Sequence, residues 1–139
     1  MVRLGSFVVL LRCLIVDDNA SFLTAARSLL ERQGLCIVGV ASHGAEALER
    51  VGELSPDVIL VDIDLGSESG FCVARRLLAV PRPTLPRVIL ISAHPREDFV
   101  ELVEQSPAVG FIAKSELSAQ TIAELLDGGE APANEPPET

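Results

Sequence analysis

The fold is decided by the stretch Val58-Ile59-Leu60-Val61-Asp62-Ile63-Asp64-Leu65-Gly66. Its first four residues are apolar and three of them are β-branched, which predicts a short strand buried on both faces. Such strands are typical of a parallel sheet with helices on each side. The run ends at Asp62, and open parallel α/β sheets bind ligands beyond the carboxyl ends of their strands. Asp62 is therefore a candidate site residue, although a strand-end aspartate can also simply cap a turn.

The composition indicates one domain with an aliphatic core. The chain has 139 residues, is 48% hydrophobic and contains neither Trp nor Tyr. Its net charge of −9 argues against direct nucleic-acid binding, which would require a basic patch. The same charge suits cationic or metal-bearing partners.

The cysteines and the apolar start of the chain bear on its compartment. Cys13, Cys36 and Cys72 are odd in number and lack metal-ligand spacing, so we expect buried, reduced thiols and a cytoplasmic protein. The apolar residues 7–16 are too few to span a bilayer, and no small-residue cleavage site follows them. We therefore expect neither a membrane partner nor a signal peptide.

Five predicted strands alternate with five predicted helices along residues 12–128. An N-terminal extension at 1–11 and an acidic tail at 129–139, predicted to be disordered, flank them. With the right-handed crossover rule, this alternation predicts an α/β fold, a doubly wound five-stranded parallel sheet in a three-layer sandwich. The strands are expected at 12–16, 36–41, 57–62, 87–92 and 109–113, and the first three helices at 20–33, 45–54 and 70–80.

The last two helices are placed by their ends. Pro95 fits the first turn of the fourth helix, and Ser118 and Gly128 bound the fifth. Apolar spacing assigns inward faces to the second and fourth helices, at Ala45, Leu48 and Val51 and at Phe99, Leu102 and Val103.

Polar side chains follow four of the predicted strands. Because parallel strands open at one edge of the sheet, we expect Asp17, Asp18, Asp62, Ser92 and Lys114 to converge. Crowded carboxylates repel unless a cation compensates them, and a hard cation with oxygen ligands such as Mg²⁺ suits the set. The absence of His and Cys from the set disfavours zinc or copper.

This group of residues suits phosphoryl transfer. The Asp62 carboxylate can act as nucleophile and form an acyl phosphate. A metal ion and Lys114 would neutralise the phosphoryl oxygens, and the Ser92 hydroxyl can donate a hydrogen bond to one of them. The plainer alternative is that the acidic pair only caps a helix and that Lys114 only pairs with an acid. Agreement at four strand ends favours the functional interpretation.

The chain resembles the receiver domain of bacterial two-component response regulators. The resemblance covers Arg12 to Gly128, and the segment 110–117 resembles the branch whose members usually carry a helix-turn-helix output domain. It implies a flavodoxin-like sheet with strand order 2-1-3-4-5. The matching residues, in chain order, are Asp17-Asp18, Asp62, Gly70, Ser92 and Lys114.

The resemblance implies a role for each site residue. Asp62 would be the phospho-acceptor. Mg²⁺ would be bound by Asp18, Asp62 and the backbone carbonyl of Asp64, with Asp17 acting mostly through water. Lys114 would contact the phosphoryl group. Switch roles would fall to Ser92 and Phe111, and tuning of the phosphorylation pocket to Asp64 and His94. For Phe111 and His94 the alternatives are plain core packing and an exposed loop histidine.

Two positions depart from the family pattern. Gly66 stands where the family often has proline, which predicts a more mobile loop. Ser115 replaces the proline that usually follows the lysine with a cis bond. A cis bond before a residue other than proline costs about 2.5–4 kcal/mol, so the geometry there stays open.

Three functions are considered. The leading one is a single-domain response regulator that accepts a phosphoryl group from a sensor histidine kinase. It would relay the signal to a downstream protein or phosphotransfer protein, without enzymatic turnover beyond its own phosphorylation and dephosphorylation. The alternatives are a pseudo-receiver that no longer phosphorylates and, from the spacing of Asp62 and Asp64, a small phosphatase resembling the haloacid-dehalogenase type. The oligomeric state stays open, with a homodimer among the options.

Overall fold

The strand Val58–Asp62 lies at the centre of the sheet, and all five of its residues are buried. The computed structural model describes residues 2–4 and 7–128. Within these residues the strands, numbered along the chain, are β1 (Val2–Leu4), β2 (Phe7–Val9), β3 (Arg12–Val16), β4 (Cys36–Ala41), β5 (Val58–Asp62), β6 (Asp64–Leu65), β7 (Glu68–Ser69), β8 (Arg87–Ser92) and β9 (Gly110–Ala113).

One parallel sheet contains the five longer strands in the order β4-β3-β5-β8-β9. Counted along the chain this order is 2-1-3-4-5, so the predicted topology is confirmed. The register keeps the carboxyl ends level, since Val16 pairs with Val61 and Ser92 pairs with Ala113. The residues that follow these strands therefore meet at one edge.

Helices cover both faces of the sheet, which confirms the three-layer sandwich. They are α1 (Ala20–Arg32), α2 (Gly44–Leu54), α3 (Gly70–Ala79), α4 (Val100–Gln105) and α5 (Ala119–Leu126). Helices α1 and α5 pack on one face through residues such as Leu30 and Ile122. Helices α2, α3 and α4 pack on the other through Val51, Leu77 and Val103.

The inner face of α2 differs from the predicted one. Ala45 is exposed, whereas Gly44 and Ala47 are buried. The helix begins at Gly44, one residue earlier than predicted, because His43 Nδ1 accepts a hydrogen bond from the backbone N–H of Glu46 and caps the first turn.

The fourth helix is shorter than predicted. Pro95 precedes a 3₁₀ turn at Arg96–Asp98, and α4 begins only at Val100. Phe99 lies between them with φ −132°, outside helical values. Phe99 and Val103, four residues apart, still share the inner face, but Leu102 is 51% exposed and its predicted inward position is wrong.

The three cysteines are free, but they are not equally buried. Cys13 is buried, and burial raises the pKa of its thiol. Cys36 is half-buried, and Cys72 is exposed on α3, so the prediction of three buried thiols is wrong for Cys72. The apolar run around Cys72 belongs to an amphipathic helix, and Cys72 lies on its outer face.

The predicted N-terminal extension forms structure of its own. Strands β1 and β2 pair antiparallel as a hairpin, and β1 contacts α5. Leu11, assigned to the extension, is only 5% exposed and packs in the core beside Cys13 and Leu35. The predicted acidic tail at 129–139 lies outside the described residues. In the described part of the chain, each helix is too short or too polar to cross a bilayer.

Candidate functional site

The carboxyl ends of four strands bring the predicted site residues together. Asp17 and Asp18 follow β3, Asp62 ends β5, Ser92 ends β8 and Lys114 follows β9. They surround a cavity of about 270 Å³ whose walls are completed by Asn19, Asp64, Gly66, Ala93 and His94. The convergence expected from parallel topology is therefore present in the structure.

Asp17 is the most deeply buried member of the site, with 0% of its surface exposed. Its backbone N–H donates to Ala41 O at 3.0 Å, which ties the strand end to β4. Its Oδ1 accepts a 2.8 Å hydrogen bond from the backbone N–H of Asn19. Its Oδ2 lies 2.6 Å from Lys114 Nζ, but accepts no well-aligned hydrogen bond from the described residues.

Asp62 is 6% exposed and is held from two sides. Its Oδ1 accepts a hydrogen bond from the backbone N–H of Asp64 at 3.1 Å, and its Oδ2 accepts one from Lys114 Nζ at 3.1 Å. Burial, assisted by the charge of Asp17, raises the pKa of the Asp62 carboxyl to about 6, although the bonds from Asp64 and Lys114 act in the opposite direction. The site thus holds an acid that is costly to ionise without a further cation.

Lys114 bridges the two buried carboxylates. Its ammonium contacts Asp17 and Asp62, and its side chain is 17% exposed. Burial lowers the pKa of the Lys114 ammonium, but the two carboxylates outweigh burial and the net shift is upward. A third neighbour is the ring of Phe22 on α1, whose centroid lies 4.1 Å from Lys114 Nζ.

The acidic residues fit a divalent cation. Carboxylate oxygens of Asp17, Asp18 and Asp62 lie within 4.8 Å of one another. All three ligands are hard oxygen donors, the type that Mg²⁺ prefers. Among the described residues, Asp17 Oδ2 is buried and has the Lys114 ammonium as its one close contact, at 2.6 Å, and a carboxylate oxygen with a single such contact can still bind a cation. These residues could hold Mg²⁺, as the sequence predicted.

Gly70 explains how the polypeptide packs behind Asp62. Its N–H donates to Ile63 O at 2.7 Å, and a Cβ at position 70 would overlap the carbonyl oxygen of Asp62. Only glycine allows α3 to begin this close to the acceptor strand. The close approach of the Asp62 backbone therefore explains why position 70 is glycine.

The loop after Asp62 is a small hairpin. Strands β6 and β7 pair antiparallel across the two-residue turn Gly66-Ser67. Gly66 has φ +76°, which matches the glycine preference at the first position of a type II′ turn. The Asp64 side chain is exposed and its Oδ1 accepts a hydrogen bond from Gly66 N–H, so only the backbone of Asp64 contacts the acceptor.

Ser92 and His94 also line the cavity. Ser92 is 2% exposed, and its Oγ accepts a hydrogen bond from the backbone N–H of His94 at 3.0 Å. His94 is exposed at the cavity mouth, with its ring centroid 6.4 Å from that of Phe99. The position of His94 is compatible with its predicted influence on the pocket.

Phe111 is buried beneath the segment that leads into α4. It is 4% exposed, its ring centroid lies 6.0 Å from that of Phe99, and the Arg96 guanidinium lies 6.0 Å above its ring. Arg96 also donates to Phe111 O at 3.3 Å.

The Lys114–Ser115 peptide bond is trans.

Comparison with known proteins identifies the family. The profile of the response regulator receiver domain matches residues 13–127. This chain belongs to the response regulator receiver domain family. Magnesium binding and phosphorylation are general properties of that family, which works in two-component systems. The resemblance noted from the sequence is thus confirmed.

Two relatives show how much of a longer protein this receiver matches. It is 34% identical over 139 residues to protein-glutamate methylesterase/protein-glutamine glutaminase 5 of Myxococcus xanthus, covering 92% of this chain and 39% of that protein. It is 36% identical over 115 residues to a putative transcriptional regulator of Pseudomonas aeruginosa, covering 83% of this chain and 53% of that protein. The receiver thus spans about two fifths to one half of these relatives.

Solved receiver domains have the same fold. The signal receiver domain of the putative response regulator NarL from Mycobacterium tuberculosis has a TM-score of 0.71 at 31% identity, covering 88% of this chain and 98% of that one. The response regulator domain of Thermotoga maritima CheB has a TM-score of 0.65 at 29% identity, covering 93% and 100%.

The contacts of two residues in this receiver were missed from sequence. Phe22 was not among the predicted site residues, yet its ring faces Lys114. Glu68, in the loop after Asp62, accepts a hydrogen bond from Gly44 N–H at 2.9 Å and pairs with Arg76 at 3.4 Å. The contacts of Phe22 with Lys114 and of Glu68 with Gly44 join residues far apart in the chain, which local patterns do not reveal.

Proposed function

We propose that this receiver accepts a phosphoryl group on Asp62 from a sensor histidine kinase in two-component signalling. The observation that carries the proposal is the surroundings of Asp62, a buried carboxylate at the strand end that faces two more acids, Lys114 and Ser92. Crowded buried acids are unfavourable without a cation, so a functional role explains this arrangement better than a role in stabilising the fold.

In the proposed reaction an Asp62 carboxylate oxygen attacks phosphorus. A new O–P bond forms while the P–N bond to the donor histidine breaks, and the donor nitrogen keeps the electron pair. Asp18, Asp62 and the backbone carbonyl of Asp64 would hold Mg²⁺, with Asp17 acting mostly through water, and the ion would supply positive charge to the phosphoryl oxygens.

Lys114 and Ser92 complete the proposed site. The ammonium of Lys114 already contacts Asp62 Oδ2, so a phosphoryl group on that side of Asp62 would meet a positive charge. The Ser92 hydroxyl can donate its proton to a phosphoryl oxygen while its own oxygen keeps the bond from His94 N–H. We assign Phe111 to the switch that follows phosphorylation and His94 to tuning of pocket access.

We further propose that the phosphorylated receiver acts by contact with a downstream protein or a phosphotransfer protein. The face formed by α4, β9 and α5 adjoins Ser92, Phe111 and Lys114. The phosphoryl group would shift the population toward the state that binds it better. We propose a cytoplasmic location and no substrate turnover beyond self-phosphorylation and self-dephosphorylation.

The test is phosphoryl uptake measured by intact-mass spectrometry after incubation with acetyl phosphate and Mg²⁺. We expect one added phosphoryl group on the wild-type chain and none on Asp62→Asn. The matched control is Asp57→Asn, because Asp57 is exposed, immediately precedes the other end of β5, and asparagine keeps an oxygen that can accept from Arg12 N–H. This control should be labelled like the wild type.

Three results would contradict the proposal. Equal labelling of Asp62→Asn would show that another residue accepts the phosphoryl group. No labelling of a folded wild-type protein that binds Mg²⁺ would favour the pseudo-receiver instead. Sustained hydrolysis of a generic phosphoester would favour the phosphatase alternative.

A further inference from the structure

We infer that Phe22 is a positioning residue that holds the ammonium of Lys114 at the phosphorylation site. The inference rests on the proposed function of Asp62. Phe22 occurs in the first turns of α1, and its ring centroid lies 4.1 Å from Lys114 Nζ. A cation at this distance over an aromatic face is attracted by the ring quadrupole.

The position of the Phe22 ring is linked to the acidic pair by two hydrogen bonds. Asp17 Oδ1 accepts from Asn19 N–H at 2.8 Å, and Asn19 Oδ1 accepts from Phe22 N–H at 3.0 Å. The same turn that places Asp17 in the site therefore fixes the start of α1 and the place of the ring. Phe22 is half-buried, so part of its ring is shielded from water by the core beneath α1.

The ring gives Lys114 a support that differs from its other two neighbours. Asp17 and Asp62 hold the ammonium by charge, and Lys114 has a flexible four-carbon side chain that must be kept in one place. The aromatic face attracts the ammonium without neutralising it and without fixing the direction of its N–H bonds. Lys114 can therefore turn an N–H from Asp62 Oδ2 to an incoming phosphoryl oxygen while remaining against the ring.

A plain core role for Phe22 makes a different prediction. If the side chain served only to fill volume under α1, leucine would replace it at little cost to the site. If the aromatic face matters, leucine would release Lys114, whereas tyrosine, which keeps the ring, would hold it. The pair Phe22→Leu and Phe22→Tyr therefore separates the two roles.

The first readout is kinetic. The rate of phosphorylation by acetyl phosphate with Mg²⁺ should fall by roughly threefold to tenfold in Phe22→Leu, as expected for loss of a partly shielded cation–π contact. It should stay within about twofold of wild type in Phe22→Tyr. Leu29→Ala is the control, because Leu29 is half-buried on the same helix and lies about two helical turns from Phe22. Its rate should not change.

The second readout needs neither Mg²⁺ nor phosphoryl transfer. In NMR spectra, the Lys114 ε-methylene protons should be shifted upfield by the ring current in the wild type and in Phe22→Tyr. In Phe22→Leu they should move toward the values of an exposed lysine. This spectrum still decides the role of Phe22 if the wild-type chain accepts no phosphoryl group, a result that would reject the proposed function alone.

Three outcomes would overturn the inference. The first is a Phe22→Leu rate equal to that of the wild type or of Leu29→Ala. The second is an unchanged Lys114 resonance in Phe22→Leu. The third is an equal loss of rate in Phe22→Leu and Phe22→Tyr, which would show that the aromatic ring is not what matters.

Discussion

Removing the charge of Asp62 should stabilise the protein in the absence of metal. Asp62 is 6% exposed, lies near buried Asp17 and has its pKa raised to about 6 from an ordinary value of 3.8. The folded protein therefore binds a proton on Asp62 more strongly than the unfolded chain does. Above pH 6 the folded state must keep a buried carboxylate ionised, and this lowers the free energy of unfolding.

The sign and the size follow from the direction of the shift. Because the pKa of Asp62 is higher in the folded state, the proton on Asp62 stabilises the fold. This contribution is fully present below about pH 4 and is lost as the pH rises through 6. The rise in the pKa of Asp62 from 3.8 to about 6, at about 1.4 kcal/mol for each pKa unit, sets an upper limit of about 3 kcal/mol on the stability lost above pH 6. Asp62→Asn avoids this loss while its side-chain oxygen can still accept from Asp64 N–H. We expect a gain of about 1–3 kcal/mol at pH 7.5.

The assay is urea unfolding of wild type and Asp62→Asn without Mg²⁺ at several pH values. The urea midpoint of the variant should exceed that of the wild type at pH 7.5, and the difference should shrink toward zero near pH 4. Added Mg²⁺ should stabilise the wild type more than the variant, because the ion binds the ionised site. A variant that is equally or less stable at pH 7.5 would refute this account of Asp62.

Three further changes test other parts of the site. Gly70→Ala should cost about 1–3 kcal/mol or more, because its Cβ would overlap the Asp62 carbonyl oxygen and lie 2.7 Å from Ile63 Cα. Gly52→Ala, where a Cβ meets nothing within 4 Å inside α2, should instead stabilise the protein in the same urea assay. Equal changes in the free energy of unfolding for Gly70→Ala and Gly52→Ala would contradict the steric explanation for Gly70. Lys114→Met should slow phosphorylation by acetyl phosphate by roughly 10²–10³-fold, since it removes the charge that meets the phosphoryl group. A wild-type rate would exclude that role. Asn19→Ala should lower stability by about 0.5–2 kcal/mol in thermal unfolding, because it removes the cap on Phe22 N–H, whereas Asn19→Ser should retain most of it. An unchanged melting temperature in the alanine variant would show that this cap contributes nothing.

Much of the fold could be predicted because its signals are local. The buried run at 58–61 and the similar runs at 12–16 and 87–92 identified central strands, and alternation with helices then fixed the parallel topology. Helix ends were less certain. The interruption at Phe99 and the solvent-facing Leu102 depend on how α4 meets the core, and apolar spacing alone gave the wrong face.

The candidate site was predicted with its main residues but without its contacts. Parallel strand ends must share an edge, so the convergence of Asp17, Asp18, Asp62, Ser92 and Lys114 followed from the order of elements. Local sequence patterns could not show that the loop after Asp62 is a hairpin tied to α2 by Glu68. That bond joins positions 24 residues apart.

By itself the sequence determined the layers and which side chains stand at the open edge, because hydrophobic period and the alternation of strands and helices depend on neighbouring residues. The strand order followed from the resemblance to receiver domains. Only the tertiary structure decided that Lys114 lies between Asp17 and Asp62 with Phe22 against it. Those contacts depend on distances of a few ångströms between groups up to 97 positions apart, such as Lys114 and Asp17. The free energies of burial and of charge interaction that these contacts produce exist only in the folded chain.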